Sequence, residues 1–319
     1  RIMNDELIVI QDLDVVYRTD FETVHAVNKI NLRIRKGNTL GIVGETGAGK
    51  TTTISMISCL LRPNEGDVLV MGHSVRKDPQ AVKACLGVVP QEIALYEDLS
   101  ARENLSFWGK MYGLRGEGLH KRVDEVLEVI GLADRHKGMV GKFSGGMKRR
   151  LNIGIALLHK PQLIIMDEPT VGIDPQSRRS ILESVLQLNR EGATVLYTTH
   201  YMEEAQELSD HIAIMDHGKL IAMGTHEELV KIVGEMDRLD VMLSAEAPQV
   251  IETWKNTPGV HKVTCEDGKV SLLVADSNLV LPRLFEAVVN TNIRLTSVEI
   301  HEPNLEAVFL HLTGRALRD

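Results

Sequence analysis

The chain has 319 residues, 43% of them hydrophobic and 25% charged, with a formal net charge of −8 at pH 7. That length holds one large domain plus a smaller one, and the acidic balance argues against non-specific wrapping of nucleic acid, which needs a positive footprint. Three well-separated cysteines, Cys59, Cys85 and Cys265, form no CxxC pair, so neither a disulfide framework nor a zinc site is indicated and a reduced cytosol fits. The start, RIMNDELIVI, lacks the apolar core and cleavage site of a signal peptide. Arg1 and Ile2 stand before Met3, as added residues or an internal start. No run approaches eighteen apolar residues, so a membrane-spanning part is expected on another polypeptide.

In chain order, LIVIQDLDVVYR and VHAVNKINLRIRKG alternate apolar and polar residues and predict antiparallel strands with one wet face. TLGIV (39–43) is a short buried strand running into a Gly-rich loop, and GKTTTISMISCLL continues as a helix. GDVLVMG and LGVVP are further strands. From Ser100 to Lys160 the pattern is mostly helical, with breaks at Gly113–Gly118 and around Gly138–Gly146. LIIM (163–166) and ATVLYTT (193–199) are continuous apolar strands, as a parallel sheet covered on both faces requires. SRRSILESVLQLNRE is the crossover helix between them. After about residue 235 the order becomes β-α-β-β-α-β, a ferredoxin-like arrangement, closed by an amphipathic helix at NLEAVFLHL. The expected architecture is an α/β P-loop NTPase domain over residues 1–235, with an antiparallel β subdomain and a helical insertion at about 92–160. A small α+β domain follows at 236–319.

Gly44-Glu45-Thr46-Gly47-Ala48-Gly49-Lys50-Thr51 matches GxxxxGK[ST]. Its glycines let successive backbone N–H groups point inward, Lys50 can reach the β- and γ-phosphates, and the Thr51 hydroxyl can bind Mg2+. Thr52 adds a further nucleotide contact. LIIMDE (163–168) is a buried strand ending in two carboxylates. Ligands of open α/β sheets lie at the carboxyl ends of the strands. Asp167 is therefore a candidate Mg2+ ligand, and Glu168 a candidate to polarise an attacking water. Alone, the pair reads equally well as an acidic strand end capping the next turn; beside a phosphate loop the catalytic reading leads. His200 ends the strand VLYTTH at the same edge, where a γ-phosphate contact is favoured over the usual structural histidine. Gln91, after LGVVP, reaches that edge too and could touch Mg2+ or the water.

KFSGGMKRRLNIGIALL (142–158) raises a second anion site. Ser144 can cap a helix beginning near Met147, Gly145 and Gly146 allow close backbone approach, and a helix N-terminus carries partial positive charge. In isolation it is better read as an ordinary capped helix with a solvated basic turn.

Together these residues resemble the nucleotide-binding subunit of an ABC transporter. Tyr17, the loop at 44–51, Gln91, FSGGM at 143–147, LIIMDE at 163–168, Asp174 and His200 follow that family's order over three quarters of the chain. The resemblance implies that Tyr17 stacks on adenine. It implies a head-to-tail dimer with an identical or related ATPase subunit, in which each ATP lies between the phosphate loop of one subunit and Ser144-Gly145-Gly146 of the other. Gly172-Ile173-Asp174 looks like the D-loop linking the two sites. EIALYEDLSARENL, after Gln91, looks like the surface that meets a membrane permease, which would hold the subunit at the cytoplasmic face of the membrane. The family signature usually reads LSGGQ; Met147 removes a polar side chain, so Met147→Gln is expected to give equal or higher ATPase activity. Glu45-Thr46 resembles the Glu-Ser of peptide importers rather than the Pro-Asn of many exporters. EPNLEAVFLHLTGRALRD and YMEEAQELSDHIAIMDHGKLIAMGT resemble ATPases of ABC-2-type exporters of the drug-resistance and sodium-efflux groups. The tail reads equally as a dimer-stabilising or a regulatory appendage.

Three alternatives remain open. An ABC importer ATPase is one, although peptide importers usually lack the appended β-α-β-β-α-β unit. A non-transport ABC ATPase acting on DNA or the ribosome would tend to carry long coiled coils or two cassettes. A P-loop kinase would not need Ser144–Gly146 or His200 where they stand.

Overall fold

The computed structural model describes residues 5–18, 23–234, 236–266, 269–289, 291–301 and 303–314. Arg1–Met3, Glu302 and the last residues of the tail lie outside them. The chain divides into two compact units, residues 1–220 and 221–319.

In the first unit, β1 (Glu6–Arg18) and β2 (Thr23–Arg35) pair antiparallel, as their alternation predicts. In β2 the apolar Ile30, Leu32 and Ile34 are buried on alternate positions. β1 departs from a single wet face: Leu7, Ile8, Val9 and Ile10 are buried in succession. Its register then shifts between Ile10 and Leu13, around Asp12, whose φ is 46°. A bulge of this kind turns the strand and re-aims its side chains. β3 (Thr39–Val43), buried throughout, leads to α1 (Lys50–Ile57), which is shorter than the apolar run GKTTTISMISCLL. β4 (Glu65–Val70), β5 (His73–Ser74), α2 (Pro79–Cys85) and β6 (Leu86–Val89) follow. The antiparallel sheet has the order β2-β1-β4-β5.

The helical insertion contains α3 (Ala101–Met111), α4 (Gly116–Val129) and α5 (Gly145–Leu157). α3 starts at a capping box, in which Ser100 Oγ accepts from Glu103 N and Glu103 Oε2 accepts from Ser100 N. Such a box satisfies two orphan donors at once. The chain returns to the sheet with β7 (Leu163–Asp167), α6 (Pro175–Arg190), β8 (Thr194–Thr199), α7 (Met202–Leu208), β9 (His211–Asp216) and β10 (Lys219–Gly224). This second sheet has the order β10-β9-β3-β8-β7-β6 and is parallel across β9, β3, β8, β7 and β6. Its strands are apolar because both faces are covered. The parallel register sets Asp167 beside Thr198, so the ends of β7 and β8 meet at one edge.

In the second unit, α8 (His226–Val230) precedes β11 (Asp237–Leu243), α9 (Pro248–Lys255), β12 (Val260–Glu266), β13 (Lys269–Val274), α10 (Ser277–Val289), β14 (Leu295–His301) and α11 (Leu305–Thr313). The sheet order is β12-β13-β11-β14 with every neighbour antiparallel. This is the β-α-β-β-α-β arrangement expected from the pattern. Trp254 of α9 is fully buried, and its Nε1 donates to Leu284 O of α10 at 3.0 Å.

Candidate functional site

The loop between β3 and α1 is shaped by its glycines. Gly49 has φ of 101°, and a Cβ there would meet Ala26 O at 2.5 Å, so both backbone conformation and space demand glycine. Beside this loop lies an open pocket of about 500 Å³. It is lined by Thr46, Gly47, Gly49, Lys50, Thr51 and Thr52 of the loop and α1, by Gln91 and Glu168, and by Val24 and Ala26 of β2. Gln91 and Glu168 are thus brought together with the phosphate loop. Val24 and Ala26 were missed in the sequence, although the period-2 alternation of β2 places both on one face. His25 and His217 also line the pocket. Tyr17 is half exposed on β1 and pairs directly with Val24.

Lys50 is buried. Its Nζ donates to Gly44 O at 2.6 Å and Glu45 O at 3.1 Å and lies 3.0 Å from Glu168 Oε1. Glu168 has a left-handed backbone, φ 43°. That conformation is uncommon outside glycine and needs support from its surroundings. The support comes from Thr198, whose O and Oγ1 both accept from Glu168 N, at 3.1 and 3.0 Å. The same Thr198 hydroxyl donates to Asp167 Oδ1 at 2.6 Å. His200 Nδ1 lies 3.5 Å from Glu168 Oε2, within electrostatic reach but not aligned as a hydrogen bond. Behind it, buried Glu204 accepts from Thr170, Tyr197 and Thr199, and pins the end of β8 to α7. Burial, with the Glu204 carboxylate next to it, pushes the Tyr197 phenol well above its ordinary pKa.

Thr51, Gln91 and Asp167 offer a hydroxyl, an amide and a carboxylate. These oxygen donors suit Mg2+, which keeps several waters and takes ligands from substrate phosphates. Among the described residues no group of three or more His, Cys, Asp or Glu could hold a metal by itself.

The Ser144-Gly145-Gly146 segment does not line this pocket. Ser144 caps α5, its Oγ accepting from Met147 N at 3.2 Å, and the helix starts at Gly145, earlier than expected. Gly146 is buried against α6: a Cβ would fall 2.1 Å from Ser177 Oγ. Gly145 is exposed, and a Cβ there would make only ordinary contact, 3.8 Å from Ile173. The intrachain packing that requires glycine at Gly146 does not require it at Gly145. Asp174 caps α6, accepting from Ser177 N at 2.9 Å, and this bond holds its carboxyl below the usual range. Met147 packs against the apolar cluster of the helical insertion.

Known proteins place this arrangement. The family described as ABC transporter matches residues 27–171. The linearmycin resistance ATP-binding protein LnrL of Bacillus subtilis (strain 168) is 48% identical over 295 residues, covering 92% of this chain and 95% of that protein. The chain belongs to the ABC transporter ATP-binding proteins. Its ABC cassette is that of an ATPase, of the kind that serves exporters. The daunorubicin resistance ATP-binding protein DrrA3 of Streptomyces coeruleorubidus is 39% identical, covering 91% of each chain. The dimeric post-hydrolysis state of the ATP-binding cassette MJ0796, bound to ADP and Pi, superposes with a TM-score of 0.63 at 26% identity, covering 68% of this chain and 98% of that one. An ABC subunit works with a membrane component, and among the described residues no helix of this chain is long and apolar enough to cross a membrane.

Proposed function

We propose that the chain couples ATP binding and hydrolysis to export through a separate membrane permease, which holds it at the cytoplasmic face of the membrane. The observation that carries this reading is the division of the nucleotide-binding parts. The phosphate loop, Gln91 and Glu168 line one pocket, whereas Ser144 and Gly145 stand exposed outside it. A second subunit, identical or related, completes each site. MJ0796, which is dimeric with ADP and Pi bound, supports that geometry.

In this reading Gly44–Thr52 cradle the phosphates, Lys50 offsets their charge, and Tyr17 with Val24 and Ala26 holds the base. Thr51, Gln91 and Asp167 would hold Mg2+, which would neutralise charge on the β- and γ-phosphates. Glu168 orients and polarises the attacking water, and His200, its ring packed at a tilt against Tyr201 with centroids 4.2 Å apart, contacts the γ-phosphate. Ser144, Gly145 and Gly146 meet the partner's nucleotide, and Asp174 lies near the dimer seam. Closure follows because ATP touches both subunits only when they are together. Functionally we divide the chain at 235/236, with the second part an accessory domain. The resistance functions named in LnrL and DrrA3 support a drug-like cargo, selected by the permease.

The test is Glu168→Gln followed by sedimentation with ATP. The variant should bind ATP, hydrolyse it at least a hundredfold more slowly, and sediment as a dimer. A monomer at saturating ATP would sink the two-chain site.

A further inference from the structure

The first two turns of α5 grip the segment that carries Gln91. Arg149 is only 3% exposed. Its Nη1 donates to Pro90 O at 2.8 Å and its Nη2 to Gln91 O at 2.7 Å. The adjacent Lys148 donates to Glu97 Oε1, at the other end of the same segment. Neither cation lines the nucleotide pocket.

Burying a guanidinium is costly unless it is hydrogen-bonded. Burial pulls the Arg149 pKa down, and among the described residues its hydrogen bonds go to two carbonyls rather than to a carboxylate. A planar fork on two consecutive carbonyls fixes both position and angle, which a flexible ammonium would not. The backbone of Gln91 therefore takes its place from a helix whose cap, Ser144, lies five residues before Arg149.

We propose that Arg149 is a positioning residue that sets Gln91 against the nucleotide, and that Lys148 and Arg149 make Ser144–Gly146 and Gln91 move as one piece. This rests on the roles proposed above for Gln91 and for Ser144–Gly146. Engagement of the partner's ATP at Ser144 is then felt at Gln91 in the chain's own site, which couples the two sites of a dimer.

The test is a double-mutant cycle on the full chain, reading kcat and KM for Gln91→Ala, Arg149→Met and the pair. Arg149→Met should lower kcat by about tenfold while leaving KM for ATP within about twofold. In the Gln91→Ala background it should lower kcat no further, because Arg149 acts only through that residue. A purely structural role would lower kcat in both backgrounds, and multiplicative losses overturn the proposal while leaving the role of Gln91 intact. An unchanged kcat in Gln91→Ala alone would instead remove the role of Gln91, and the proposal with it. Should Arg149→Met fail to fold, the exposed end of the link decides. Lys148→Glu should lower kcat and Glu97→Lys should restore it; a loss without restoration, or no loss, overturns the link.

Discussion

One hydroxyl organises the two carboxylates of the site. Thr198 Oγ1 donates to Asp167 and accepts from the backbone of Glu168, so Thr198→Val, nearly isosteric, takes the donor from the buried Asp167 carboxylate and leaves Glu168 N held by the Thr198 carbonyl alone. We expect it to cost about 1–2 kcal/mol of stability and to lower kcat about tenfold by loosening Glu168, read by thermal unfolding and steady-state ATPase assays. GETGAGKT was legible in the sequence because its spacing is local, and two of its glycines, Gly47 and Gly49, take positive φ. Thr198 was not, because its role follows from the β7–β8 register, which sequence pattern does not state. Met147 sharpens the comparison. Its side chain packs in the apolar cluster of the insertion, so Met147→Gln should lower stability by about 1 kcal/mol while ATPase activity stays equal or higher. A marked loss of kcat without loss of stability would give Met147 a role at the nucleotide.

At the scale of elements, the long apolar strands and amphipathic helices were legible, and α2, α7 and α8, of five to seven residues, were not. Two turns or fewer give too little periodicity to separate a helix from a turn. The second unit shows what a correct strand reading conceals. RLDVML reads as one more half-buried strand, yet its two charged residues form a buried network. Arg238 bonds Asp240 through Nε at 3.0 Å and also reaches Glu306 of α11, and Ser271 donates to Asp240. Burial pushes the Asp240 carboxyl up, but the bonds and charge of Arg238, with Ser271 and Lys269, outweigh it and bring its pKa down to about 2 from 3.8. A carboxyl lowered in the folded state stabilises fully above its unfolded pKa. That contribution, about 2 kcal/mol, is lost as pH falls from roughly 4 towards 2. Chemical denaturation of the full chain across that range should show the loss. Asp240→Asn, which no longer titrates, should flatten the pH dependence by that amount.

At the scale of the whole molecule, the question is whether a single chain holds a complete site. The Gly-rich loop, Gln91 and Glu168, which line one pocket, could be read together from the sequence because strand ends in a parallel sheet converge. The separation of Ser144–Gly146 from that edge could only be inferred from family resemblance, since helical spacing says nothing about which pocket a helix start faces. The structure supplies the physical reason to look outside the chain: Gly145 is exposed, has room for a side chain, and is a poor helix former at the first position of α5. A glycine with no internal need is explained by something approaching from outside. Complementation separates the possibilities. Gly145→Asp should leave ATP binding by the monomer intact and abolish hydrolysis. Lys50→Ala should abolish hydrolysis by disabling the phosphate loop. In a mixed dimer of the two variants, one site combines both defects and the other combines the intact phosphate loop of the first with the intact Ser-Gly-Gly of the second. Random pairing makes about half of the dimers mixed, each with one of two sites whole, so ATPase activity should rise from near zero to about a quarter of the wild-type rate. If each chain completed its own site, mixing two dead variants would restore nothing.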